Sequence, residues 1–213
     1  MARARCRLGR PRSEAKRQAI LTAATEVFLD LGFGAASMDS VAQRAAVSKA
    51  TVYKHFGSKE KLFGAIIESR CRALMSPLLT PEIRSNELEA TLRAIADRFV
   101  DLIMDASALA LYRVVIAEAP RFPELARVFY ENGPEQAIGN LAGYLSEETE
   151  RGHLVISDSV GAAEQFFSLL SGYVHVRALL GMGACRPTSD LTDHIAGVVR
   201  TFMRAFGACS RTP

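Results

Sequence analysis

Residues 37–56, Ser-Met-Asp-Ser-Val-Ala-Gln-Arg-Ala-Ala-Val-Ser-Lys-Ala-Thr-Val-Tyr-Lys-His-Phe, constrain the fold more than any other stretch. Ser37 is an N-cap residue, followed by Met38, Val41, Ala42 and Ala45 at helical spacing. Asp39 in the first turn complements the helix dipole. Ser48 caps a second segment with Val52 and Phe56 inward, which Gly57 ends. The pattern predicts two short helices joined by a tight turn. The second presents Lys49, Thr51, Tyr53, Lys54 and His55, all polar enough to face a nucleic acid.

The flanks extend this into a small helical core. A longer helix is expected from a cap at Ser13 to about Leu31, with Ile20, Ala24, Val27, Phe28 and Leu31 on one face and Gly32 as its stop. Ser58 is expected to cap a fourth helix with Leu62, Ile66 and Ile67 inward. Inward faces around Phe28, Val41, Val52 and Phe56 pack together. Such a pair of short helices is a helix-turn-helix, which lays one helix in the DNA major groove.

Charge supports that placement. Residues 1–70 hold 13 Lys plus Arg against 6 Asp plus Glu, and residues 71–213 hold 13 against 17. A basic third beside an acidic remainder points to a polyanion met by the first part alone. Residues 1–12 carry Arg3, Arg5, Arg7, Arg10 and Arg12 with Gly9 and Pro11, a segment that cannot bury apolar surface. Two readings stay open for it: a minor-groove arm, or a solubilising tail.

From residue 71 onward the period stays helical. Helices are expected over 86–105 and 108–118, through Leu125, Val128 and Phe129, and through Ile138, Leu141, Tyr144 and Leu145. Gly133-Pro134 either interrupts a helix or starts the next. Two long helices follow, about 158–181 and 189–207. No hairpin or alternating strand pattern appears, so the fold class is all-α. The expected parts are a flexible basic arm (1–12), a helix-turn-helix domain (13–60) and a C-terminal helical regulatory and dimerisation domain (61–213).

Several classes are disfavoured. Cys6, Cys71, Cys185 and Cys209 are scattered, with neither a C-x-x-C pair nor clustered His, which indicates no metal site, no disulfide framework and a reduced cytoplasmic setting. Cys6 is either an exposed thiol on the arm or one made reactive by its arginine neighbours. No signal peptide, membrane span or cofactor is expected. Ser13-x-x-Lys16 and Ser58-x-x-Lys61 match a nucleophile pattern, but both serines are better explained as caps, so no catalytic residue is assigned.

Residues 37–63 resemble the DNA-binding signature of the TetR/AcrR family of bacterial transcriptional regulators. The matching pieces are Val41-Ala42, Val47-Ser48-Lys49-Ala50-Thr51-Val52-Tyr53-Lys54-His55-Phe56, and Ser58-Lys59-Glu60 with Leu62. The resemblance implies double-stranded operator DNA as partner. Candidate DNA-contacting residues are Ser37, Met38, Arg44, Ser48, Lys49, Ala50, Thr51, Tyr53, Lys54, His55 and Lys59. It implies backbone contacts for Tyr53 and His55 and a phosphate clamp for Lys59. One position departs: Ala46 stands at the turn where the family usually has Gly, and a left-handed backbone there would cost roughly 1 kcal/mol. Residues 112–125 resemble the AefR-like subgroup of C-terminal domains.

The resemblance also implies a homodimer and a small-molecule effector pocket. Candidate pocket residues are Phe99, Tyr112, Phe166, Tyr173, His175 and Arg177, with Met104 and Phe167 beside them. Core packing is the competing role for the Phe and Met side chains, and pairing with Glu164 or Asp193 across a dimer for His175 and Arg177. The last two helices, apolar on several sides, make the expected dimer interface through Phe167, Leu170, Ile195, Val199 and Phe202, with Gly161, Ala162, Ala163 and Gly172 allowing close approach. The expected function is a repressor released from its operator by a small lipophilic ligand. The alternatives are an activator or a ligand-independent DNA-binding protein.

Overall fold

The computed structural model describes residues 10–75, 87–182 and 188–208. Side chains are described for 13–69, 87–182 and 191–208, so the readings of the arginine side chains of the arm and of the four cysteines lie outside what is described, although the backbone of Arg10, Pro11 and Arg12 is already helical. The helices are α1 (Arg10–Ala35), α2 (Met38–Arg44), α3 (Lys49–Phe56), α4 (Lys59–Met75), α5 (Leu88–Met104), α6 (Ala106–Glu118), α7 (Pro123–Asn132), α8 (Pro134–Glu150), α9 (Ser159–Leu179) and α10 (Thr188–Phe206). Among the described residues there is no β-strand, only one antiparallel bridge between Leu154 and Gly207.

Most helix ends obey their local chemistry. Ser37, Ser48 and Ser58 each accept a backbone N–H from the first turn of α2, α3 and α4. Gly57 leaves α3 at φ 78°, and Gly32, at φ 75°, breaks α1, conformations that a side chain would disfavour. Gly133 precedes α8 and Pro134 begins it, so this pair starts a helix. Ser13 is a correction. Helix α1 begins at Arg10, so Ser13 sits inside it and caps nothing. Pro11 falls in the first turn, where a missing N–H costs nothing.

The chain divides into two compact units. The first holds residues up to Ser69 together with Val114–Phe129, and the second Arg70–Arg113 with Tyr130–Pro213. The first unit thus draws in residues beyond the 13–60 segment. Its core is aromatic: Phe28, Phe33 and Phe63 are fully buried, with ring centres 5.5–5.7 Å apart, and Phe122 lies edge-on to Phe33 at 5.2 Å. Val41, Val52, Ile66 and Leu125 complete it.

The second unit is built on α5, α8, α9 and α10. Leu92, Ile95, Leu141, Leu145, Phe166, Leu170, Ile195 and Phe202 form one continuous core. Its end is clasped by polar chemistry. The Val155 N–H donates to Phe206 O at 2.8 Å and the Ala208 N–H to His153 O at 3.0 Å. Beside this bridge the buried Glu148 carboxylate accepts from Arg151 Nη1 and lies 2.7 Å from His153 Nδ1. A carboxylate buried this way needs such partners.

Candidate nucleic-acid interface

The α2–α3 turn is the hinge of the site. The Val47 N–H donates to Ala42 O at 3.0 Å and the Ala46 N–H to Gln43 O at 3.2 Å. These two bonds define a Schellman closure, in which the residue after the C-cap takes a left-handed backbone. Ala46 occupies that place at φ 52°, the one positive-φ non-glycine residue among those described. The turn is therefore of the ordinary type, made with a residue that pays the steric cost of its Cβ.

Beyond the turn, Ser48 fixes the first turn of α3. Its Oγ accepts the Thr51 N–H at 3.2 Å and shares a hydrogen bond of 2.8 Å with the Thr51 hydroxyl. Val52 and Phe56 are buried, whereas Lys49, Ala50, Tyr53 and Lys54 are exposed and Thr51 and His55 half-buried. Tyr53, 45% exposed, thus has a free edge. The helix is anchored by its apolar side and presents a polar one.

Five other candidates are committed elsewhere. Met38 is 6% exposed, its side chain packed into the core of its unit. The Ser37 hydroxyl is held in a capping box with Ser40. Arg44 reaches back to α1, with Nη1 3.0 Å from Glu26 Oε2 and Nη2 3.2 Å from Asp30 Oδ2. Lys49 donates to Asp39 Oδ2 at 2.8 Å. Lys59 is the most fully engaged: its ammonium donates to the carbonyls of Phe33, Ala36 and Gly34 at 2.7, 3.1 and 3.4 Å and sits over the Phe33 ring. It caps the carbonyl-rich end of α1, where a cation is favoured, and the chain alone offers an acceptor to each of its three donors.

Glu118 was not singled out from sequence. Its Oε1 accepts the Gly34 N–H at 2.9 Å, tying the end of α6 to the segment before α2 within the first unit. Nothing local marks it, because its partner is 84 residues away.

In the second unit the structure brings together only part of the proposed effector set. Tyr112 and His175 meet edge-to-face, ring centres 5.2 Å apart, and burial lowers the His175 pKa. Arg177 is half-buried, as is Phe99, which stacks on Phe167 at 4.4 Å. Phe166 is fully buried against Phe167 and Phe202, a packing role, and Tyr173 is 84% exposed. Of the dimer set, Phe167, Leu170, Ile195, Val199 and Phe202 are all buried by the chain itself, none more than 7% exposed. Ala162 and Ala163 are buried with them. On α9 the free apolar side chains are Val160, Leu169, Tyr173 and Val176, with Leu180 and Met182 beyond its end. The backbone breaks at Gly172 (φ 34°, ψ −147°), between the inward-packed part and Tyr173.

No group of three metal-ligating side chains gathers among the described residues, and no helix among them is long and apolar enough to cross a membrane.

Comparison with known proteins gives a consistent picture. Residues 20–66 match the family model of bacterial regulatory proteins, tetR family, and residues 90–208 that of the AefR-like transcriptional repressor, C-terminal domain. The chain is similar to the crystal structure of a TetR-family transcriptional regulator from Mesorhizobium loti, with 32% identity, 92% of this chain and 98% of that one covered, and TM-score 0.80. It is equally similar in fold to the flavonoid-responsive regulator FrrA, with 35% identity, 92% and 100% covered, and TM-score 0.80. A relative by sequence is the HTH-type transcriptional activator FasR of Mycolicibacterium smegmatis, 40% identical over 93 residues, which are 44% of this chain and 42% of that protein. The chain thus matches less than half the length of that curated relative.

Proposed function

The chain belongs to the tetR family of bacterial regulatory proteins, and from that premise we propose that it is a sequence-specific DNA-binding transcriptional regulator, a repressor that a small lipophilic effector releases from its operator. The observation that carries the reading is the geometry of α3. Its leading residues Lys49, Ala50 and Thr51 and the following Tyr53, Lys54 and His55 stand opposite the buried Val52 and Phe56. That is how a recognition helix is held when its N-terminal residues meet base edges. Ala50 suits a thymine methyl and Tyr53 a backbone phosphate. Such a protein works where bacterial DNA lies, in the cytoplasm.

One such helix reads a half-site, so two copies are needed to read an operator of symmetric halves. The exposed Tyr173, Val176 and Leu180, spaced by three and four residues, supply the apolar stripe of a homodimer contact. The second unit supplies the effector site, for which Tyr112 and His175 offer an aromatic edge and a polar group in a largely apolar setting. The flavonoid named for FrrA makes planar phenols the first effectors to test. The repressor direction follows the description of the C-terminal family, and the activator among the relatives makes the opposite sign the competing outcome.

The test is selection of duplexes from a random pool by the purified protein, followed by anisotropy titration of a selected and a scrambled duplex at one salt concentration. The expected result is a specificity ratio of about 10³ or more, lost when Thr51 and Tyr53 are both replaced by Ala in a protein that still folds. Equal affinity for both duplexes would overturn the reading. A reporter under the selected sequence then gives the sign of regulation.

A further inference from the structure

Lys49 opens α3, yet its ammonium does not hang free. It donates to Asp39 Oδ2 at 2.8 Å, and Asp39 lies in the first turn of α2. Both side chains are more than half exposed, 56% and 62%, so the pair adds little to stability. Its reason must be sought elsewhere. Glu26 and Asp30, the acids that hold Arg44, sit on α1. Asp39 instead stands beside the first residue of the reading helix, where a surface must approach a polyanion. An anion there disfavours every DNA sequence alike through its charge.

What Asp39 gives in return is orientation. Lysine is a point charge on a flexible stem, able to swing to whichever phosphate is nearest. An ammonium has three donors. One given to Asp39 leaves two, the number that the O6 and N7 acceptors of guanine take in the major groove. The same hydrogen bond raises the Lys49 pKa, so the tethered group keeps its full charge.

We infer that Asp39 is a positioning residue for specificity: it tethers the Lys49 ammonium at the mouth of α3, so that Lys49 donates to a base edge in the operator and is withheld from phosphates on other DNA. This rests on the DNA-reading function proposed above. The pair acts as a unit, and its effect is seen most on DNA that is not the operator.

The experiment uses the full chain, a duplex recovered by selection, and a scrambled duplex of equal length, each titrated by anisotropy across a range of salt. D39N should bind the scrambled duplex roughly three- to tenfold more tightly, with a salt slope steeper by about 0.9, the signature of one more phosphate contact. Affinity for the selected duplex should not rise in step, so the specificity ratio falls, and D39E should restore part of it. In the D39N/K49M double variant the gain on scrambled DNA should vanish. If the gain persists without Lys49, Asp39 acts by repulsion alone and the tether is refuted. If the wild type discriminates while D39N keeps its ratio and slope, the role of Asp39 fails and the proposed function stands. If the wild type does not discriminate, the proposed function itself fails.

Discussion

The Lys59 ammonium lies 2.7 Å from the carbonyl oxygen of Phe33 and 4.4 Å from the centre of the Phe33 ring. One residue thus offers the cation both a hydrogen-bond acceptor and a π face. Together with the carbonyls of Gly34 and Ala36, this makes Lys59 the cap of α1. Lys59→Met leaves those carbonyls short of a partner and should cost about 1–3 kcal/mol in urea unfolding. Loss of DNA affinity with unfolding unchanged would instead restore the phosphate role that the sequence resemblance implies.

Ala46 holds a left-handed backbone without the freedom of glycine. Ala46→Gly should stabilise the chain by about 0.5–1 kcal/mol, the relief of Cβ strain less the entropy added to the unfolded state. Ala46→Val, β-branched at the same φ, should destabilise it. Thermal unfolding monitored by circular dichroism measures both, and equal midpoints for all three proteins would mean the turn relaxes.

A Cβ added at Gly64 on α4 would come 2.8 Å from Val128 Cγ1 on α7. Valine cannot rotate freely away, so Gly64→Ala should destabilise by about 1–3 kcal/mol. Adding Val128→Ala should recover much of that loss. If the pair is no better than the single variant, the contact is not what limits this position.

These cases mark how far local sequence reached. The serine caps at Ser37, Ser48 and Ser58 and the stops at Gly32 and Gly57 were legible because each acts on its own neighbouring turn. Lys59 and Glu118 were not, since their partners lie 23–26 and 84 residues away. The inner and outer sides of α9 were not legible either. A helix apolar on several faces gives no sign of which face its own chain covers and which is left over, and the expected dimer residues Phe167 and Leu170 proved to be the covered ones. The burial of the Met38 side chain was legible from its helical spacing with Val41 and Ala42.

Burial holds the His175 ring below its ordinary value of 6.5. The unfolded chain therefore takes up a proton first as pH falls through that value, and the folded chain only at lower pH. Stability that is complete above this window should decline as acid is added within it. His175→Phe should remove this part of the pH dependence, read as a smaller difference between unfolding free energies at neutral and mildly acidic pH. An unchanged difference would assign the effect to other groups.

Exposed apolar side chains after Gly172 are the proposed contact between copies. Tyr173→Asp with Leu180→Asp should convert the dimer to a folded monomer in analytical ultracentrifugation and weaken operator binding by the loss of linked half-sites. A variant that sediments as the wild type does would move the contact to another face.

The break at Gly172 also partitions how α9 tolerates change. Before it, Ala162, Ala163, Phe166, Phe167 and Leu170 answer to the volume available inside one chain; after it, Tyr173, Val176 and Leu180 answer to nothing in that interior. Random alleles of this single helix should therefore sort by the face they strike: poor yield at Ala162, Ala163, Phe166, Phe167, Leu170 and the buried Ala178, and intact but inactive protein at Tyr173, Val176 and Leu180.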